Sequence, residues 1–160
     1  GVDDGNQLVR DAIEAVAPTA REHGVELALE PLHPVDATRY STVTTIHQAL
    51  DIVEGIDGAG IMYDTWNTWW DPQVQPGIER AGGDIAAVHV ADWMHPNENP
   101  RDREVPGQGE APLTELLSAV EDAGYEGWYE VELFTEQYDP AEYPALLERC
   151  VTGAREVLPE

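Results

Sequence analysis

The sequence has no lysine and a single cysteine, Cys150, among its 160 residues. One cysteine excludes an internal disulfide and is typical of proteins in a reducing cytosol. No apolar run reaches the roughly eighteen residues that a transmembrane helix requires. The opening stretch, GVDDGNQLVR, has neither a basic nor an apolar region, so we expect no signal peptide there. These absences predict a cytoplasmic protein, and the length of 1–160 fits one ordinary domain.

Positive charge is scarce as well. All eight cationic residues are arginines, against 32 acidic residues, which gives a formal net charge of −24 at pH 7. The acids are scattered, which argues against a disordered acidic tail. Without basic patches the chain is not expected to bind nucleic acid. Self-repulsion of this size destabilises a compact state at low salt, so the composition favours a halophilic protein over a merely acidic one.

Two periodicities alternate along the chain. Apolar residues at steps of three and four predict helices over 5–22, 41–56, 72–82, 113–124 and 140–157. Short apolar runs predict strands over 25–32, 59–64, 84–92 and 127–134. This order implies a parallel sheet with covering helices, either an open doubly wound sheet or part of a (β/α)8 barrel. Glycine-rich phosphate-binding motifs follow none of the strands, which argues against a nucleotide-binding fold.

The helix patterns also predict caps and buried faces. Ser41 or Thr42 is expected to cap the second helix. The buried stripe of the first helix is expected to comprise Val9, Ile13, Val16 and Ala20. The stripe of the last helix is expected to include Tyr143, Leu147, Cys150, Ala154 and Val157. A loop of about twenty residues, 92–111, is expected between the third strand and the next helix.

Each predicted strand ends in acidic residues or a histidine. In strand order these are Glu30; Asp64; His89 and Asp92; and Glu130 and Glu132. The carboxyl ends of parallel strands lie on one face, where barrel enzymes carry their active sites. Glu30, Asp64, His89 and Glu132 are therefore expected to converge. Glu130 is expected to face the helix layer or a neighbouring loop.

Three carboxylates and one imidazole in a small space need a compensating charge, because like charges repel and some groups would take up protons. A divalent cation supplies that charge. An oxygen-rich set with one nitrogen suits Mn²⁺, Mg²⁺ or Co²⁺ better than a thiolate-type zinc site. We expect Mn²⁺, with Mg²⁺, Co²⁺ or Zn²⁺ as alternatives. For each residue alone, an ordinary role as a loop residue, helix cap or core histidine is the competing interpretation.

Five stretches resemble, in order, the C-terminal half of the xylose isomerase-like (β/α)8 barrels, a group of sugar isomerases and epimerases. They are HGVELALEPLHP, MYDTWNTWWDP, AAVHVADWMHP, DREVPGQGE and GYEGWYEVELF. The resemblance covers nearly the whole chain but about the last four βα units only, so we expect a partial barrel domain. A lone half-barrel would leave strand edges unpaired. A fragment of a longer protein, a homo-oligomer and a partner that supplies the other half all remain open.

The resemblance implies a role for each strand-end residue. It makes Glu30, Asp64, His89 and Glu132 the metal ligands, and the two glutamates the acid/base pair. It implies that Arg103, in the DR pair before PGQG, contacts substrate oxygens. The alternative for Arg103 is a surface ion pair with a neighbouring acid.

Four further residues are candidates for substrate binding. Asn67 stands where the family usually has histidine; an asparagine can bind through hydrogen bonds but cannot transfer a proton. Trp66 and Trp93 could pack against the C–H face of a sugar, with core packing as the alternative. His33 could line the same pocket.

The resemblance implies a metal-dependent isomerase or epimerase that acts on a ketose or related polyol ketone through an enediolate. A dehydratase of the inosose or dehydroshikimate type and a non-catalytic half-barrel that acts as a structural partner are the alternatives. An apurinic endonuclease of the same superfamily is disfavoured by Asn67 and by the net charge.

Overall fold

The computed structural model describes residues 1–37, 39–94, 99, 101–134, 136 and 138–159. Its centre is a parallel sheet of four strands: β1 Leu27–Leu29, β2 Ala59–Asp64, β3 Ile85–Val90 and β4 Tyr129–Val131. The strands lie side by side in chain order, and each neighbouring pair is parallel. A doubly wound sheet reverses its strand order at a switch point, whereas a (β/α)8 barrel does not. The observed order is that of four successive barrel units.

The described part of the chain forms six α-helices: α1 Val2–Glu22, α2 Ile46–Val53, α3 Thr65–Thr68, α4 Val74–Ala81, α5 Leu113–Asp122 and α6 Tyr143–Val157. Short 3₁₀ turns cover Pro34–Asp36, Gly82–Asp84 and Pro140–Glu142. Apolar side chains of α2, α4 and α5 pack on the sheet and form the main core. None of the described helices is both long enough and apolar enough to cross a membrane.

Two helix starts differ from the prediction. Helix α2 begins at Ile46, and its cap is Thr45, whose side chain accepts a hydrogen bond from the backbone N–H of Gln48 at 3.2 Å. Ser41 and Thr42 are therefore not the cap, because the N-cap is the residue directly before the first helical residue, Ile46, and Thr45 stands there. Helix α3 lies in a segment expected to be loop, because Asp64 caps it from the end of β2.

The buried face of α6 is shifted from the predicted stripe. Its buried residues are Leu146, Cys150, Gly153 and Val157, whereas Leu147 is 65% exposed. The reason is a close backbone contact: a Cβ added to Gly153 would lie 2.0 Å from the carbonyl oxygen of Pro106. The glycine therefore fixes which side of the helix meets the loop, and the predicted inward positions of Tyr143 and Leu147 are wrong.

The stripe predicted for α1 is only partly buried. Ala20 is buried, but Val16 is 52% exposed. Helix α1 contacts α2 and β1, and β1 is an edge strand of the described sheet. An amphipathic helix at a sheet edge covers less apolar surface than one centred over the sheet, which leaves Val16 in solvent.

The predicted loop 92–111 is described at 92–94, 99 and 101–111; residues 95–98 and 100 lie outside the described residues. Asp92 and Glu104 form an isolated antiparallel bridge, with backbone N–H···O distances of 2.9 Å in both directions. The loop therefore returns to the carboxyl end of β3.

A candidate metal and acid/base site

The carboxyl ends of the four strands bring four side chains together. Glu30 follows β1, Asp64 ends β2, His89 lies in β3 and Glu132 follows β4. One ligand atom from each lies within 4.8 Å of the other three. Asp64 and His89 are directly paired in the sheet register, which places their side chains on the same face. We call these four residues the quartet.

Asp64 is fully buried, and both of its carboxylate oxygens have partners. Oδ1 accepts a hydrogen bond from the backbone N–H of Asn67 at 3.1 Å, because Asp64 is the N-cap of α3. Oδ2 accepts one from Nη1 of Arg103 at 2.8 Å. The change from strand to helix at this point thus holds the carboxylate rigidly.

Glu30 is positioned by Asn67. The side-chain amide of Asn67 donates to Oε1 of Glu30 at 2.9 Å, and its oxygen accepts from the backbone N–H of His33 at 2.9 Å. Burial of Glu30 and the nearby negative charge of Asp64 raise the pKa of the Glu30 carboxyl to about 7. Asn67 therefore ties helix α3 to the segment that follows β1, and its direct contact with a substrate stays a prediction.

Arg103 lies inside the site. It is 3% exposed, and Nη1 is 2.8 Å from Oδ2 of Asp64 and 2.8 Å from Oε2 of Glu132. Its guanidinium lies over the rings of Trp66, at 5.1 Å, and Phe134, at 4.7 Å. A buried guanidinium with these partners excludes the alternative of a surface ion pair with a neighbouring acid.

The loop that carries Arg103 is held by Asp92, a role that the sequence analysis missed. The two carboxylate oxygens of Asp92 accept hydrogen bonds of 2.8–3.0 Å from four backbone N–H groups, those of Trp93, Gly107, Gly109 and Ala111. A Cβ at Gly109 would lie 2.3 Å from the carbonyl oxygen of Trp93, so only glycine fits. An aspartate followed by a G-x-G pair was the available signal.

Glu130 lies on the face of the sheet that carries His89, so the predicted orientation toward the helix layer or a neighbouring loop is wrong. Side chains alternate along a strand with period two, so Glu130 and Glu132 share a face. The structure bears this out: Glu130 is in register with His89, and its Oε2 lies 3.8 Å from Nε2 of that ring.

Residues 1–151 match the family described as xylose isomerase-like TIM barrel. The chain belongs to this family.

Two curated relatives carry isomerase and epimerase names. Inosose isomerase of Halalkalibacterium halodurans is 28% identical over 159 residues, which cover 94% of this chain and 52% of the relative. Fructoselysine 3-epimerase of Escherichia coli O157:H7 is 29% identical over 117 residues, which cover 72% of this chain and 41% of the relative. The chain thus spans about half the length of the curated relatives it matches.

Two solved structures share the fold. A protein of Sinorhizobium meliloti 1021 superposes with a TM-score of 0.91 at 36% identity, covering 100% of this chain and 60% of that one. The IOLI protein, crystallised with a zinc atom, superposes with a TM-score of 0.80 at 25% identity, covering 99% and 58%. The barrel type of fold expected from the sequence is confirmed.

Within this xylose isomerase-like fold the quartet fits a divalent metal. Nδ1 of His89 is buried and makes no hydrogen bond to any described residue. It lies 3.3 Å from Oε2 of Glu132 and 3.9 Å from Oδ2 of Asp64. A buried polar atom without a partner is costly, and a nitrogen that faces two carboxylates is suited to share a cation with them. The donor set is therefore a candidate divalent-metal site.

Of the aromatic candidates in the xylose isomerase-like barrel, Trp66 lies beside Arg103, and His33 lies beside Asn67. Trp66 is buried, its indole N–H donates to the carbonyl of Asp102 at 3.0 Å, and its ring lies 5.0 Å from that of His33. The Trp93 ring packs 4.9 Å from that of Trp69. The Trp66 ring thus packs against both the guanidinium of Arg103 and the ring of His33. Substrate contact by His33, Trp66 and Trp93 stays a prediction.

Proposed function

We propose that this chain carries the metal-binding and acid/base residues of a sugar isomerase or epimerase that acts on a ketose or related polyol ketone. The observation that supports this most directly is the quartet, whose ligand atoms lie within 4.8 Å of one another at the carboxyl ends of four parallel strands. Relatives with isomerase and 3-epimerase names support the reaction class.

Glu30, Asp64, His89 and Glu132 would hold the metal, and their oxygen-rich set favours Mn²⁺, with Mg²⁺, Co²⁺ or Zn²⁺ as alternatives. When bound, the ion would supply a Lewis acid for the carbonyl of the substrate. Arg103 holds the carboxylates of Asp64 and Glu132 in place and would contact substrate oxygens.

Glu30 and Glu132 would be the acid and the base. One glutamate removes the proton from the carbon beside the carbonyl, which gives an enediolate. The other returns a proton to the opposite face of that carbon in an epimerase, or to the adjacent carbon in an isomerase. In the metal-free protein the pKa of the Glu30 carboxyl is about 7, and a bound cation would lower it.

We also propose that residues 1–160 form one partial barrel domain, completed by association or by further chain. Apolar side chains are exposed at both sides of the sheet: Leu8 and Val16 on α1 beside β1, and Trp128 and Leu147 beside β4. A barrel removes such edges by closing. A mass measurement in molar KCl tests this, and a stable monomer with full activity would contradict it.

The test of the function is metal analysis of the purified protein together with turnover of a panel of ketoses and inososes in high salt. We expect activity that requires a divalent ion, is lost with EDTA, and falls at least about a hundredfold in Glu30→Gln and Glu132→Gln. A Glu115→Gln variant, on the exposed face of α5, is the matched control. Protein that binds no divalent ion would rule out the proposal, and a dehydration product would change the reaction class.

A further inference from the structure

Glu130 is an acidic residue where a barrel normally has apolar ones. It lies in β4, and the sheet register pairs it with His89 in β3. Its side chain leaves the strand on the face that carries the quartet, two residues before Glu132. In TIM barrels the inward strand positions are filled mainly by branched apolar side chains. A carboxylate in such a place departs from that pattern, and in this structure its side chain is 75% exposed and solvated.

The partner within reach is the imidazole of His89. Oε2 of Glu130 lies 3.8 Å from Nε2 of the ring. The other ring nitrogen, Nδ1, faces Oε2 of Glu132 at 3.3 Å. The ring therefore stands between two carboxylates, with Nδ1 toward Glu132 of the quartet and Nε2 toward Glu130.

We propose that Glu130 is a positioning residue that accepts a hydrogen bond from Nε2–H of His89 and so reserves Nδ1 for the metal. A neutral imidazole has one N–H, and a proton fixed on Nε2 leaves the lone pair on Nδ1. Metal-binding histidines are commonly oriented in this way by a carboxylate. The Glu130 side chain is 75% exposed, so it has room to close the remaining distance. The inference rests on the proposed metal site.

The contact has two separable effects. The hydrogen bond selects the tautomer and orientation of His89, whereas the negative charge of Glu130 attracts any cation near the quartet. Glu130→Leu removes both effects. Glu130→Gln removes the charge but keeps an acceptor oxygen. Glu126→Gln removes one exposed charge ahead of β4 and serves as the control for overall charge.

The experiment measures Zn²⁺ and Mn²⁺ affinity of the full chain by calorimetry in constant high salt. We expect Glu130→Leu to weaken binding about 10- to 100-fold, Glu130→Gln to weaken it less, and Glu126→Gln to change it by less than about twofold. In the Zn²⁺-loaded protein, ¹H–¹⁵N NMR should show a slowly exchanging Nε2–H for His89, assigned by its loss in His89→Gln. That proton should exchange rapidly in Glu130→Leu.

Unchanged affinity and an unchanged Nε2–H signal in Glu130→Leu would overturn the inference and leave the proposed function standing. An equal loss of affinity in Glu126→Gln would also overturn it, since overall charge would then be the cause. Wild-type protein that binds neither ion would instead overturn the proposed function, and the inference with it. If the leucine variant does not fold, Glu130→Ala replaces it, because it also removes the acceptor and the charge, and the same two readouts decide.

Discussion

At the scale of single residues, the environment of Glu30 makes the protein sensitive to pH. The pKa of its carboxyl is raised from 4.5 to about 7, first by burial and then by the charge of Asp64. A raised carboxyl pKa means that the folded state holds the proton more tightly than the unfolded state. The stability that this contributes is complete below pH 4.5 and is lost as pH rises through 7.

The first prediction concerns the free energy of unfolding of the metal-free protein. Between pH 4.5 and pH 7 we expect Glu30 to account for a fall of up to about 3 kcal/mol. Glu30→Gln cannot titrate, so the difference between wild type and variant should change by this amount across the interval. Urea unfolding at fixed KCl and several pH values measures it. A difference that does not vary with pH would contradict the prediction.

Asn67 provides a second residue-scale prediction. Asn67→Ala removes the donor to Glu30 and the acceptor for the N–H of His33. Two polar groups in a partly buried setting then lose their partner, and we expect a cost of about 2–4 kcal/mol and a further rise in the pKa of Glu30. Chemical denaturation measures the loss, with the exposed Gln75→Ala as control. A loss below about 0.5 kcal/mol in Asn67→Ala would show that the bridge is not needed for stability.

At the scale of elements, the loop 92–111 depends on one carboxylate. Asp92→Ala leaves four backbone N–H groups without their acceptor, so we expect a loss of at least about 3 kcal/mol and faster hydrogen exchange at Gly107, Gly109 and Ala111. Metal affinity should also fall, because Arg103 lies in this loop. Asp102→Ala, at a more exposed position of the same loop, is the control. Amides that stay protected in Asp92→Ala would refute this role of the Asp92 carboxylate.

Elements with a strong hydrophobic periodicity could be predicted from the sequence. Features that depend on a single contact between distant residues could not. The strand 59–64 was predicted with its observed bounds, because a short apolar run between glycine-rich and polar residues has few alternatives. The face of α6 was not predictable, because Gly153 meets the carbonyl of Pro106, a contact between distant residues. Convergence of the quartet followed from the parallel order alone. The hydrogen bonds of Asn67 and Asp92 required the folded loops.

At the scale of the whole molecule, charge is the dominant feature. The acids outnumber the arginines by 32 to 8, and several arginines are already engaged in ion pairs, such as Arg80 with Asp51 at 2.7 Å and Arg149 with Glu104 at 3.3 Å. Exposed pairs of this kind each contribute about 1 kcal/mol or less. They offset little of the repulsion among the remaining carboxylates, which predicts a stability that depends on salt. A halophilic origin stays a prediction from the composition.

The last prediction follows from this balance. Screening of surface charges is largely complete by a few tenths molar salt, where the Debye length falls below about 8 Å. An ordinary acidic protein should therefore reach a plateau in melting temperature at that point. For this chain we expect the melting temperature to continue rising up to molar KCl, by about 10 °C in total, which corresponds to roughly 3 kcal/mol at this chain length. Calorimetric scans in about 0.1 to 3 M KCl measure this rise in melting temperature. A plateau near about 0.3 M KCl, where the Debye length is about 5–6 Å, would instead indicate an ordinary acidic protein that is not adapted to high salt.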